Sequence, residues 1–298
     1  MDIFVSAVDF FINDTIKIFL LLIAIVFVVS IIRSFLPPEK IKKILSHKNK
    51  FVGNILASLL GIITPFCSCS AIPLFLGFIE AGVPLGVTFS FLVASPMINE
   101  IALALLFSLF GWKVASVYVV SGLIIAILSG IIIGELKVEN LVEDFSKGRR
   151  NNPLELSVLS WRQRFAYAKN YTFDIVKRIW LFIVIGVGIG AFIHGYVPAE
   201  LIARYAGGST WYAVPLAVLI GIPLYSNAAG VMPLVSVLTE KGVSMGASLA
   251  FMMSVTGLSL PEFLILKKVM KTKLIIIFAG VVGVGILFTG YLFNLVLR

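Results

Sequence analysis

Apolar residues along this chain come in long runs, not in the alternating or one-faced patterns of a water-soluble fold. The runs fall at about 15–36, 51–80, 84–111, 113–134, 172–196, 211–240, 244–266 and 274–297. An α-helix needs about 20 apolar residues to cross hydrocarbon, so the pattern predicts an all-α polytopic membrane protein. The first run, Ile16–Ile32, follows Asp2, Asp9 and Asp14 instead of a basic leader, and no small-residue cleavage site comes after it. It reads as a retained span.

Runs 51–80 and 84–111 are each longer than a simple crossing requires, and each is cut by a proline-containing polar break: Thr64–Ser70 and Ser95–Asn99. Charge sorts the connections between runs. Pro37–Lys50, Glu135–Asn170 and Lys267–Lys273 are basic, whereas Val197–Thr210 carries a single arginine. The positive-inside rule puts the three basic connections on the cytoplasmic face and Val197–Thr210 outside. Three full crossings between Pro37–Lys50 and Glu135 would violate that. Either 51–80 or 84–111 is therefore expected to enter and leave by one face as a re-entrant hairpin.

Sliding the chain by 160 positions lays "IPLFLGFIEAGVPLGVTFSF" (Ile72–Phe91) over "MPLVSVLTEKGVSMGASLAF" (Met232–Phe251). Pro73/Pro233, Glu80/Glu240, Gly82/Gly242 and Gly86/Gly246 coincide without a gap. The expected architecture is two repeats, 1–134 and 171–298, joined by a cytoplasmic linker, 135–170. With three crossings and one re-entrant element per repeat, the second inserts upside down relative to the first. Inverted repeats with broken transmembrane helices are an architecture of secondary transporters.

Composition agrees: mean hydropathy is +1.06, with 59% hydrophobic and 13% charged residues among 298. A net charge of +9 in a soluble protein would suggest nucleic acid. Here the charge sits in the connections and serves topology. The two cysteines, Cys67 and Cys69, cannot build a disulfide framework. No Walker A motif is present, so energy is expected from a gradient, the substrate or a partner chain.

Candidate chemistry gathers at the breaks. The first is Thr64-Pro65-Phe66-Cys67-Ser68-Cys69-Ser70; its counterpart is Pro223-Leu224-Tyr225-Ser226-Asn227-Ala228-Ala229-Gly230. Proline removes a backbone donor and blocks the helix. Hydrocarbon cannot satisfy the freed groups, so unwound backbone occurs only where protein or a watered cavity covers it. Polar side chains beside such breaks are substrate-site candidates, set against a plain proline kink patched by hydroxyls. Thiolates are soft ligands for thiophilic metals and metalloids. In a regular helix Cys67 and Cys69 would lie about 200° apart, whereas irregular backbone lets both face one ligand. Against this, free cysteine is also a common small apolar filler.

The stretch "TPFCSCSAIPLFLGFIEAGVPLGVTFSFLVASPMINE" (Thr64–Glu100) resembles the signature region of the ArsP-like permease family, whose best-known members export trivalent organoarsenicals. A looser likeness covers nearly the whole chain, including "GIPLYSNAAGVMPLVSVLTEKGVSMGASLAFM" (Gly221–Met252). The resemblance implies a thiol motif at Cys67 and Cys69, with Thr64, Ser68 and Ser70 as neighbours. It leaves the substrate open between organoarsenicals and thiol compounds, and it allows a thioredoxin-like partner protein. Tyr225, Ser226 and Asn227 of the second break complete the expected substrate site. No cofactor is expected.

Glu100 and Glu262 follow prolines deep in apolar segments, in corresponding parts of the two repeats, with Asn99 beside the first. Ionisable groups inside a membrane are functional candidates, here for proton coupling. The competing reading is that both acids complement helix dipoles near an interface. Glycine runs such as Gly186–Gly190 read as packing, and Trp112, Trp180 and Trp211 as an aromatic belt.

Two functions remain open. One is an exporter in the cell membrane for a small thiol-reactive or thiol-bearing solute. The other is a membrane thiol–disulfide oxidoreductase cycling Cys67 and Cys69. A lone CxC without a second cysteine pair weighs against the relay.

Overall fold

The computed structural model describes residues 11–13, 15–16, 19–20, 22–24, 26–28, 30–31, 50–64, 68–142, 160–196, 211–224, 228–267 and 269–297. Among them the chain is helical, with an isolated antiparallel bridge, Val142–Met270, and no strand. After the described residues between 11 and 31, all of them helical, the elements are α1 (Lys50–Ile63), α2 (Ser68–Glu80), α3 (Leu85–Met97) and α4 (Glu100–Glu135). A short 3-10 turn (Glu139–Leu141) precedes α5 (Trp161–Tyr196). There follow α6 (Ala213–Gly221), α7 (Ala228–Glu240), α8 (Met245–Gly257), α9 (Leu260–Leu266) and α10 (Thr272–Val296).

Several of these helices are too short to cross a bilayer alone. A 13-residue helix such as α2 or α3 is about 20 Å long, against roughly 30 Å of hydrocarbon. α2 starts at the first of the expected breaks and α3 ends at the second. The 36-residue α4 is in turn divided at Gly111, whose φ of 80° and ψ of 175° lie outside helical space. A left-handed φ of that kind favours glycine.

Local structure recurs at the 160-residue spacing. α7 and α8 begin 160 positions after α2 and α3 (68 to 228, 85 to 245), and all four are 13 residues long. The turn after α2 is closed by Gly82 N–H to Ile79 O (2.9 Å) and Val83 N–H to Phe78 O (3.0 Å). The turn after α7 repeats it with Gly242 N–H to Thr239 O and Val243 N–H to Leu238 O, both 3.0 Å. Gly82 and Gly242 both take positive φ, as this C-terminal motif demands. Gly86 of α3 lies backbone to backbone with Gly130 of α4, and Gly246 of α8 does the same with Gly290 of α10. Small residues permit such close approach where lipid supplies no hydrophobic drive.

Contacts fix directions. Phe51 and Asn54 of α1 share a pocket with Pro84–Val87 at the start of α3, and Gly61 lies against Ala94 and Ser95 near its end. The two helices therefore run parallel. Gly134 and Glu135, at the end of α4, line the same pocket. In contrast, α4 and α10 run antiparallel. Ile124 shares a groove with Leu292, Gly285 faces Ile125, and the Lys271 N–H donates to Leu141 O at 2.9 Å. The last contact brings two of the basic connections, Glu135–Asn170 and Lys267–Lys273, side by side.

α5 begins earlier than apolar length suggests. The expected linker extends to 170, but the helix starts at Trp161, with the Ser160 N–H donating to Gln163 Oε1 at 2.8 Å. That is half of a capping box, and it overrides the polar character of the first turns.

One difference between the halves supplies a stability test. Asn294 Oδ1 accepts the Gly246 N–H at 2.8 Å, whereas Gly134, its counterpart 160 positions earlier, offers no side chain. Asn294→Ala leaves a first-turn donor of α8 without its acceptor and is expected to cost about 1 kcal/mol. Thermal unfolding in detergent would register it as a lowered midpoint. An unchanged midpoint would assign that N–H to another acceptor.

Candidate functional site

Four chain breaks approach one another in pairs. The first lies between α1 and α2. The chain leaves the helix at Thr64, and Pro65 can neither donate nor extend it. The Thr64 hydroxyl donates back to Leu60 O (2.8 Å) and Gly61 O (3.1 Å), which patches the helix end. Cys67 lies outside the described residues. Ser68, Cys69 and Ser70 form the first turn of α2, with their side chains outside the description. The second break lies between α6 and α7. Here Leu224 N–H donates to Gly221 O at 3.1 Å, and Tyr225, Ser226 and Asn227 are outside the described residues.

The third break follows α3. Ile98 leaves helical space (φ −119°, ψ 88°), and Asn99 caps α4 by accepting the Ala102 N–H at Oδ1, 2.7 Å. Asn99 is thus occupied in holding a helix start. The fourth break, at Leu258–Ser259, separates α8 from α9. The Leu260 N–H donates to Ile222 O at 2.8 Å, tying it to the second break. The third and fourth also touch: Met97 lies over Gly257, its Sδ 3.1 Å from where a Cβ would stand. Gly61, packed on Ala94 and Ser95, brings the end of α1 beside the third.

Sequence reasoning passed over Tyr118. Buried in α4, its hydroxyl donates to Met97 O at 2.9 Å, a carbonyl near the end of the interrupted α3. The available signal was a polar tip within an otherwise apolar run. Its counterpart 160 positions on, Phe278, has no hydroxyl and instead meets Phe89 and Phe263 through ring contacts.

The two acids, alike in sequence, part company in the fold. Glu100 is exposed at the start of α4, along an apolar groove with Leu103, Phe107 and Trp112. Glu262 is 1% exposed, and neither carboxyl oxygen has a hydrogen-bond partner. Ser259 and Glu262 have capping-box spacing, yet Ser259 makes no side-chain cap and the glutamate does not reach back. α9, which carries it, lies against α2 and α5. Among the described residues no three His, Cys, Asp or Glu side chains gather as a metal site.

The model of the ArsP-type family, described as a predicted permease, matches residues 3–295. The chain belongs to this permease family. The UPF0718 protein MJ0584 of Methanocaldococcus jannaschii is 22% identical over 85% of each chain. A Streptococcus mutans protein, provisionally named a two-component membrane permease complex subunit, is 26% identical over 84% of this permease and 82% of itself. The UPF0718 protein YraQ of Escherichia coli is 21% identical over 86% and 71%. No solved structure matches. Glu100–Glu135, Met245–Leu266 and Thr272–Val296 are long and apolar enough to cross a bilayer, and shorter apolar helices surround them. The permease is a multi-pass integral protein of the cell membrane.

Proposed function

We propose that this permease is a secondary transporter of two inverted repeats that exports a small thiol-reactive or thiol-bearing solute. Trivalent organoarsenicals and glutathione-type thiols are the leading classes. The observation that carries the reading is the pairwise approach of four helix breaks, because interrupted helices are tolerated in a membrane only beside protein or a watered cavity. The antiparallel packing of α4 and α10, whose residues correspond at 160-residue spacing, supports the inversion. The pocket shared by the starts of α1 and α3 and the end of α4 supports 51–80 as the re-entrant segment, since it gathers those three ends on one side. The division into 1–134, 135–170 and 171–298 follows from the same correspondence.

In this reading Cys67 and Cys69 capture the soft centre. Thr64, Ser68, Ser70, Tyr225, Ser226 and Asn227 supply polar contacts, and Glu100, Asn99 and Glu262 form the pool from which proton coupling draws. The name of the Streptococcus mutans relative supports a second polypeptide working with the permease. Proteoliposomes offered trivalent methylarsenite, glutathione or a thiol-free solute of similar size test the reading. The first or second is expected to move and the third not. Equal movement of all three would remove the thiol specificity.

A further inference from the structure

We infer that Glu262 alone is the proton site of the transport cycle, and that its proton decides whether α9 stays docked on α2, the helix that carries Cys69. The inference rests on the transporter reading above and narrows it to one carboxyl in one half. The counterpart of Glu262 is Ala102, and that of Glu100 is Leu260, so neither acid is duplicated at the 160-residue spacing. Only Glu262 is enclosed. Burying an isolated carboxylate costs far more than burying the neutral acid, unless a cation or hydrogen-bond donors compensate.

Among the described residues no hydrogen-bond partner compensates it. Among the described side chains of α5, which do not include that of Arg178, the titratable groups turned inward are Arg164, Tyr167, Tyr171 and Asp174. Arg164, Tyr171 and Asp174 each have an interaction, none of them a hydrogen bond to Glu262, and Tyr167 stacks on Tyr171 at 6.0 Å. Of the described side chains of α2, the titratable one is Glu80 at its far end, itself engaged. α10 presents the ring of Phe278 to Phe263, and Lys271, at its cap, bonds Asn140 O. None of these groups hydrogen-bonds Glu262. Thr172, on the same α5, is likewise a buried polar group without a hydrogen-bond partner.

A carboxyl so enclosed holds a proton while α9 is docked. To release it, the group must reach water, and α9 must move away from α2 and α5. The break at Leu258–Ser259 is the hinge that permits this, because Ser259 holds α9 by no side-chain cap. Undocking withdraws α9 from the helix bearing the thiol segment, which links proton release to opening of the substrate site. One proton is taken from water at one face and given to water at the other; no covalent bond to the substrate forms or breaks.

Infrared spectra of the full-length permease in liposomes test the protonation without any substrate. At neutral pH the carbonyl stretch of a protonated carboxylic acid is expected in the wild type and in Glu100→Gln, and its loss in Glu262→Gln. Should Glu262→Gln misfold, Glu262→Asp serves, with the band shifted. Docking is read separately by maleimide labelling of the single thiol left in Cys67→Ser. Raising the pH is expected to accelerate labelling several-fold more in C67S than in C67S/E262Q. A wild type without the band, or an unchanged band in Glu262→Gln and Glu262→Asp, overturns the proton assignment and leaves the thiol reading standing. Equal pH response of the two labelled variants overturns the link to α2. Failure of the liposomes to discriminate thiol solutes would sink the transporter specificity while leaving the band in place.

Discussion

Gly130→Ala and Gly246→Ala are each expected to leave little folded permease. A Cβ at Gly130 would meet Ser90 Oγ, the Gly86 carbonyl and, at 2.6 Å, Asn54 Oδ1. None of these can give way. Ser90 and Asn54 are buried and hydrogen-bonded to each other at 2.8 Å, and Gly86 O is backbone. A Cβ at Gly246 would meet the Gly290 carbonyl and Asn294 Oδ1, the latter already engaged with the Gly246 N–H. Overpacking typically costs about 1–3 kcal/mol, and contact with backbone, which no rotamer relieves, belongs at or above the top of that range. The whole stability of a domain is roughly 5–15 kcal/mol. Gly280→Ala is the control, since a Cβ there meets nothing within 4 Å. Yield of monodisperse protein on size exclusion and the thermal midpoint should separate the variants. If Gly130→Ala and Gly246→Ala behave like Gly280→Ala, the close approach of α3 to α4 and of α8 to α10 is wrong.

Cys67→Ser and Cys69→Ser should each cut transport of the thiol-reactive solute by at least about tenfold, a loss of ~1.4 kcal/mol in transition-state or binding terms. The double variant should lose little more. Two ligands that hold one soft centre act as a unit, so removing the second costs far less once the first has gone. α2 begins at Ser68, which puts Cys69 in the first turn of a helix that starts at a break. A pair two positions apart can converge only if the backbone there departs from helical repeat. Substrate should slow maleimide labelling of both thiols. The thiol state during turnover separates capture from electron transfer: continuous reduction supports the first, obligatory disulfide cycling the second. Full transport by the double variant would leave the broken backbone as the site and the sulfurs as packing.

How far could residues alone carry this? The breaks were legible because proline and polar residues inside apolar runs have few other uses; helices stop at Ile63, Met97 and Gly221 beside the expected interruptions. The 160-residue correspondence was legible through Gly82/Gly242 and Gly86/Gly246, and their roles in turns and close contacts explain why glycine stands there. The difference between Glu100 and Glu262 was not legible. A helix in lipid is apolar on every face, so periodicity does not tell which side meets protein and which meets acyl chains. Tyr118 escaped for the same reason. The start of α5 at Trp161 was missed because length was judged by apolarity, whereas Ser160 and Gln163 hold the helix start whatever its polarity.

Two contacts join residues that stand 160 positions apart: Met97 rests on Gly257, and Ile125 on Gly285. A point can neighbour its own image only close to the axis that relates the halves. With the proposed inversion, that axis lies in the plane of the membrane, so both contacts mark a depth equidistant from the two headgroup layers. About 15 Å of hydrocarbon then separates them from either surface. The interruptions at Ile98–Asn99 and Leu258–Ser259 adjoin the first of these contacts and share its depth. Water reaching them from either face would travel equally far, so the same stretch of chain can serve as the last barrier for both.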